Sequence, residues 1–169
     1  LKARLCREGL EATVDFCKLH NLAYQRCGKL IVATGAVEEA RLDVLHMRAN
    51  ANGLKLPRVS GAELRELEPN IAGMAALLSA ETGIVDYQEI GAKLSELIVA
   101  KGAKIALGSK VERIVEKGDF VEVGARDITW QAKKLIICGG LQADRLARLA
   151  GLPVDFRIIP FRGEYFKLP

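Results

Sequence analysis

The chain has no GxGxxG loop, no CxxC pair and only two histidines, and each absence closes off a kind of chemistry. Without a glycine-rich loop between a strand and a helix, nothing here forms the usual backbone cradle for a dinucleotide pyrophosphate. The four cysteines stand at positions 6, 17, 27 and 138, while His20 and His46 are isolated, so no residue set has metal-ligand spacing. A chain this apolar has little need of disulfides, which points to a reducing, cytoplasmic compartment. No apolar run approaches the ~20 residues that span a bilayer, and no signal peptide is visible. Lys and Arg are scattered among Asp and Glu, and the net charge of +4 is modest, which argues against a nucleic-acid partner.

What the sequence does have is apolar bulk. Half of its 169 residues are hydrophobic, enough for a sizeable core in one large domain or parts of two. Leu1 leads straight into a helical pattern, and the last strand is barely complete at Pro169. The chain therefore reads as a piece of a longer protein.

Leu5, Gly9, Ala12, Phe16 and Leu19 recur at helical spacing and predict a helix over 3–20, stopped by Asn21. Gly28–Ala33 reads as a strand ended by Thr34-Gly35. A second helix presents Ala40, Val44, Met47 and Ala51 and closes at Asn52-Gly53. Ser60-Gly61-Ala62-Glu63 is a capping box for a short helix ending near Pro69. Ala75–Ser79 and Ile84-Val85 read as strands, and Asp86 caps a helix that buries Ile90, Leu94, Leu97 and Ile98. From Lys104 the period becomes two. Short strands are expected around Ile105 and Leu107, from Val111 to Val115, over Phe120–Val123 and at Ile128 and Trp130, with Gly118-Asp119 the clearest hairpin turn. Lys134–Cys138 is a further strand, followed by a helix through Ala150, and Arg157–Lys167 is a long closing strand. The order of elements predicts a mixed α/β architecture.

Five places carry candidate chemistry. Lys134–Gly140 runs a strand into two glycines, where a phosphate or ribose can approach main-chain N–H groups; it also reads as an ordinary tight turn. The backbone of Val111, at the start of a strand, could meet an adenine edge or simply belong to the meander. Arg162, beside Gly163, could hold a carboxylate bidentately or pair with Glu164. Thr82–Tyr87 is explained by a turn, a short strand and a cap. Lys29 is a charge in an apolar strand, which either points to solvent or needs an anionic partner.

Taken in order, Cys27–Ala33, Glu68-Pro69, Thr82–Tyr87, Cys138–Leu141 with Asp144-Arg145, and Ile159–Tyr165 resemble the L-2-hydroxyglutarate oxidase/dehydrogenase group of the FAD-dependent oxidoreductases, relatives of D-amino-acid, glycine and sarcosine oxidases. The resemblance covers essentially the whole chain. It implies the middle of a two-domain flavoprotein whose N-terminal Rossmann βαβ unit is absent here. Residues 1–21 would be a helix of the FAD domain, 22–86 the first part of a substrate domain with a mixed sheet, and 87–152 a return to the FAD domain with its β-meander and last strand. Residues 153–169 would be a strand returning to the substrate domain.

By the same resemblance, Val111 falls where a backbone contact to the adenine is made, and Cys138, Gly139 and Gly140 fall where the chain passes FAD. The family usually has Ala or Ser where Gly139 stands. The implied reaction is oxidation of L-2-hydroxyglutarate to 2-oxoglutarate, with hydride passing to the flavin N5. A dicarboxylate needs two anchors, for which Arg162 and Lys29 are the first candidates and Tyr87 and Tyr165 the others. No residue is identified as the base. The alternatives are a flavin amine oxidase of the glycine or sarcosine type and a non-catalytic α/β binding module. The electron acceptor, including a quinone reached at the inner face of a membrane, and the oligomeric state stay open.

Overall fold

The computed structural model describes residues 2–166, which fall into two compact units, one running to Lys104 and the other starting at Ile105. In the first, α1 (Lys2–His20) leads into a two-stranded ribbon of β1 (Tyr24–Gln25) and β5 (Ile84–Val85). Its main sheet has β4 (Ala75–Ser79) between β2 (Lys29–Ala33) and β3 (Arg58–Ser60), all antiparallel. Side chains alternate across a strand, and here each face of the sheet receives one helix. Ala33, Ala75 and Leu77 meet Leu42 of α2 (Ala36–Ala51), with Ile31 and Leu56 beside them. On the other side Val59 and Ala76 meet Leu64 of α3 (Gly61–Leu67), joined by Leu30, Val32, Ile71 and Leu78.

The capping box opens α3 as expected. Ser60 Oγ accepts from the Glu63 N–H, and the Glu63 carboxylate accepts from the Ser60 N–H and hydroxyl at 2.7 Å each. The last helix of this unit is α4 (Tyr87–Ala100), whose N-cap Asp86 accepts from the Gln88 N–H at 2.7 Å.

Three predicted helix faces need correction. In α1 the inward stripe is Val14 and Cys17, flanked by half-buried Leu10, Thr13 and Phe16, whereas Leu5 and Leu19 are exposed. In α2 it is Leu42 and Ala49, and Val44 and Met47 face out. Both helices carry two apolar stripes at helical spacing, and tertiary packing chose the other one. Helix α4 buries none of its residues: Ile90 and Leu97 are half-buried, while Leu94 and Ile98 are exposed because no sheet of this unit covers them.

The second unit begins with a meander, β6 (Arg113–Lys117), β7 (Phe120–Ala125) and β8 (Ile128–Ala132). Lys117 pairs with Phe120 across Gly118-Asp119, the expected two-residue turn, and Ala125 pairs with Ile128 across Arg126-Asp127. Ile105 and Leu107 lie outside any strand, and the first strand begins at Arg113, two residues after Val111. After the meander comes a 3₁₀ turn (Gly140–Gln142) running into α5 (Ala143–Leu149).

The predicted strands Lys134–Cys138 and Arg157–Lys167 are not formed among the described residues; Lys167 itself lies outside them. A strand exists only through its ladder, and no described segment pairs with either stretch.

Candidate functional site

The second unit holds most of the candidate residues. Cys138 is exposed, Gly139 half-buried, and Gly140 begins the 3₁₀ turn at a φ of 51°. The turn closes through Gln142 N–H donating to Gly139 O at 2.9 Å. Among the described residues, the N–H groups of Cys138, Gly139 and Gly140 donate to no backbone carbonyl in a turn or loop. A Cβ on Gly139 would overlap Leu146 Cδ1, whereas one on Gly140 would meet open space. The result is a bend whose three N–H donors are unpaired among the described residues, packed against Leu146 at Gly139 and open at Gly140, which is what an anionic or hydroxyl-rich ligand needs.

Val111 precedes β6 and is half-buried. Its neighbour Glu112 donates to Gly124 O at 2.9 Å, while the Val111 backbone enters none of the turn and loop bonds among the described residues. Among the described residues no backbone hydrogen bond links it to the Cys138–Gly140 bend.

Immediately after the bend, Asp144 is buried, 3% exposed, and is the one buried polar or charged residue among those described. Burial pushes its carboxyl up, but the Arg148 hydrogen bond opposes this, helped by the backbone N–H groups of Ile158 and Arg145 and the Arg148 charge, and the result lies below the usual carboxylate range. Arg148 Nη1 donates to Asp144 Oδ2 at 3.1 Å, and its Nη2 donates to Phe156 O at 2.9 Å. Oδ1 has no hydrogen-bond partner among the described residues.

Between these contacts the helix ends on Gly151, at a φ of 77°. The Gly151 N–H donates to Arg148 O and the Leu152 N–H to Ala147 O, a pattern that satisfies the last carbonyls and turns the chain out of α5. Arg162 follows on an irregular, exposed stretch between Phe161 and Gly163. It forms no ion pair with Glu164 or any other described carboxylate.

Lys29 lies in the first unit. It is exposed at the start of edge strand β2, opposite Ser79, with no ion-pair partner among the described residues. Its charge points away from the core. Thr82–Tyr87 is a built turn: the Gly28 N–H donates to Thr82 O at 2.9 Å, and the Ser79 and Thr82 hydroxyls are 2.8 Å apart. A Cβ on Gly83 would sit 2.8 Å from Gln25 O, so this glycine lets β5 approach β1.

Sequence reasoning did not anticipate two features. A cavity of about 340 Å³ lies between α1 and the β1–β5 ribbon, edged by Tyr24, Tyr87 and Arg26. Arg26 bridges Glu11 at 2.8 Å and Glu81 at 3.1 Å. The Asp144–Arg148 pair was also missed, although an acid four residues before a base on a helix is a readable signal. Among the described residues no cluster could hold a metal, and no helix is long and apolar enough to cross a membrane.

Residues 1–169 match the DAO family, FAD dependent oxidoreductase. The chain belongs to the FAD-dependent oxidoreductases. It is 40% identical over 169 residues to an L-2-hydroxyglutarate dehydrogenase of Escherichia coli, and 39% identical over 174 residues to the mitochondrial L-2-hydroxyglutarate dehydrogenase of Caenorhabditis elegans. Each alignment covers 99% of this chain, which spans about 40% of those relatives' length. Among solved structures it is similar to the dithionite-reduced L-α-glycerophosphate oxidase of Mycoplasma pneumoniae with FAD bound, at a TM-score of 0.70 and 26% identity over 77% of this chain and 36% of that one. The family's cofactor suits the Cys138–Gly140 bend, where unpaired donors and the open space at Gly140 leave room for a nucleotide group.

Proposed function

We propose that the full-length protein oxidises L-2-hydroxyglutarate to 2-oxoglutarate. The observation carrying this reading is the uninterrupted similarity of the chain to L-2-hydroxyglutarate dehydrogenases, 40% identity over 99% of its length. When bound, FAD supplies the two-electron acceptor that takes the C2 hydrogen of the hydroxy acid as hydride. The N–H groups of Cys138, Gly139 and Gly140 hold the cofactor's dinucleotide portion, and the Val111 backbone contacts its adenine. The open bend and its unpaired donors support this assignment.

Arg162 anchors one substrate carboxylate. Its guanidinium is exposed and unpaired among the described residues, and a planar five-donor fork matches a carboxylate bidentately. Lys29 serves the second carboxylate, supported by an exposed ammonium without a described partner. The hydroxyl proton goes to a base that is not among the assigned residues.

On this reading residues 1–21 and 87–152 belong to the FAD domain, and 22–86 and 153–169 to the substrate domain. The substrate is a small dicarboxylate, electrons leave to a quinone-linked or other carrier, and the protein works in the cytoplasm, at the inner face of the membrane if a quinone is the acceptor.

The test is anaerobic flavin bleaching in the full-length protein. L-2-Hydroxyglutarate should bleach the flavin, and Arg162→Met should raise the KM at least tenfold. No bleaching with the hydroxy acid, but rapid bleaching with glycine or sarcosine, overturns the proposal.

A further inference from the structure

Cys27-Gly28-Lys29 and Thr82–Tyr87 meet in the first unit at a break in strand pairing. Lys29 and Ser79 form the last pair of the β2–β4 ladder, and pairing resumes at Gln25 and Ile84 in the β1–β5 ribbon. Between these pairs three residues, 26–28, oppose four, 80–83, so the second strand carries one residue more than a continuous ladder takes. A bulge of this kind re-aims the side chains around it.

The extra residue is taken up in a turn. The Thr82 N–H donates to Ser79 O at 3.3 Å, and the Gly28 N–H donates to Thr82 O at 2.9 Å, with Gly28 at a φ of 73° that favours glycine. In an extended strand, residues three apart point to opposite faces and lie about 10 Å from each other. The turn instead brings the half-buried Ser79 and Thr82 hydroxyls within 2.8 Å. Lys29 stands directly opposite Ser79 on the same face, because paired residues of antiparallel strands share a face. One cation and two hydroxyls are thus gathered at the end of the ladder. The carboxylate of the turn, Glu81, is paired with Arg26 at 3.1 Å.

We propose that Lys29, Ser79 and Thr82 form one recognition cluster for the substrate carboxylate remote from the reacting carbon, and that the hydroxyl pair sets the preference for a dicarboxylate over a monocarboxylate. This deepens the reading of Lys29 given above and rests on it.

Hydrogen-bonding capacity carries the assignment. Two hydroxyls in contact use one O–H between them and leave the other to donate outward. A carboxylate has about four acceptor sites, so it takes an ammonium and an O–H together. The planar fork of Arg162 fixes the plane of a carboxylate, which suits the one bonded to the carbon that loses hydride. Lys29 is a point charge on a flexible stem, and the fixed hydroxyl pair beside it supplies the direction it lacks. All three residues belong to the same compact unit.

The test uses the full-length FAD-loaded protein with Thr82→Val, Thr82→Ser, Ser79→Ala and Lys29→Met, and the pair K29M/T82V. Thr82→Val should raise the KM for L-2-hydroxyglutarate at least fivefold with kcat within twofold. Thr82→Ser, which keeps the hydroxyl, should restore the KM to within twofold. The inhibition constant of L-2-hydroxyvalerate, which has a methyl group in place of the remote carboxylate, should change less than twofold in each variant. In the Lys29→Met background, Thr82→Val should add less than twofold. Glutarate, a dicarboxylate with no hydroxyl to oxidise, should bind Thr82→Val at least fivefold more weakly by equilibrium dialysis.

An equal loss with L-2-hydroxyvalerate overturns the proposal, as does a Thr82→Ser protein with the KM of Thr82→Val or a fully additive K29M/T82V pair. Unaltered glutarate binding in Thr82→Val overturns the cluster by itself. A protein whose flavin is not bleached by L-2-hydroxyglutarate, yet whose glutarate binding falls in Thr82→Val, loses the proposed reaction and keeps the cluster. If Thr82→Val does not fold, Ser79→Ala, which removes the other hydroxyl, decides the same points.

Discussion

Replacing Gly139 by alanine sets two opposing effects against each other, and their sizes can be worked from the structure. The Gly139 backbone, at φ −77° and ψ 3°, is open to any L residue. Alanine there should gain about 0.4–1 kcal/mol by restricting the unfolded chain. Against this, its Cβ would overlap Leu146 Cδ1. Overpacking costs about 1–3 kcal/mol in general. Here the obstacle is the end of a flexible, half-buried side chain, so the lower end applies, about 1–1.5 kcal/mol including an off-rotamer Leu146.

The single variant should thus be destabilised only slightly, and the informative quantity is the coupling. In a Leu146→Ala background the overlap is gone, and Gly139→Ala should become neutral or stabilising. The double-mutant cycle should give a coupling of about 1 kcal/mol, measured by urea unfolding of the FAD-loaded full-length protein. FAD affinity, read by flavin fluorescence, should weaken by less than tenfold in Gly139→Ala, the equivalent of about 1.4 kcal/mol, and recover in the double variant. Additive effects on both stability and affinity would refute the overlap with Leu146 as what makes glycine fit at position 139.

Four further outcomes are expected. Ser60→Ala should cost about 1 kcal/mol of unfolding free energy, because the Glu63 N–H loses its cap, and Ser60→Asp should restore most of it. Leu77→Ala, on the central strand and fully buried, should cost about 2–5 kcal/mol with an unchanged dependence on urea concentration. Arg26→Ala should cost less than about 1 kcal/mol, and the loss should shrink in high salt, since both its ion pairs are exposed.

Acid is the fourth perturbation. Glu63 is held below the usual range first by the Ser60 N–H and then by its hydroxyl, Glu38 likewise by the Thr34 N–H and then its hydroxyl, and Asp144 by Arg148 against the opposing effect of burial. Each folded-state pKa lies below its unfolded value, so the stabilisation is complete above the unfolded pKa and is lost as pH falls through the folded one. The urea midpoint should therefore hold steady from pH 7 to 5 and drop below about pH 4. A midpoint that falls between pH 7 and 5 instead would point to another group.

How far the sequence could be read depended on how local the cause was. The capping box at Ser60–Glu63, the Gly118-Asp119 turn, the Asn52-Gly53 stop and strand β4 each follow from a few adjacent residues, and each appears where expected. The faces of α1 and α2 do not follow locally. Leu10, Val14 and Cys17 compete with Leu5, Ala12 and Leu19 for the inward position, and only the elements packed against the helix decide between them. The Asp144–Arg148–Phe156 contact lies further out of reach, because the i,i+4 pair is visible in the sequence but the carbonyl it grips arrives only after the chain reverses at Gly151.

Lys134–Cys138 and Arg157–Phe166 make the same point in the other direction. Both have the β-branched, apolar character of strands, yet neither is one among the described residues, since strand character is a property of a pair. The chain spans about 40% of the length of its L-2-hydroxyglutarate dehydrogenase relatives, so a ladder to a segment outside it would leave both stretches unpaired here whatever their strand character.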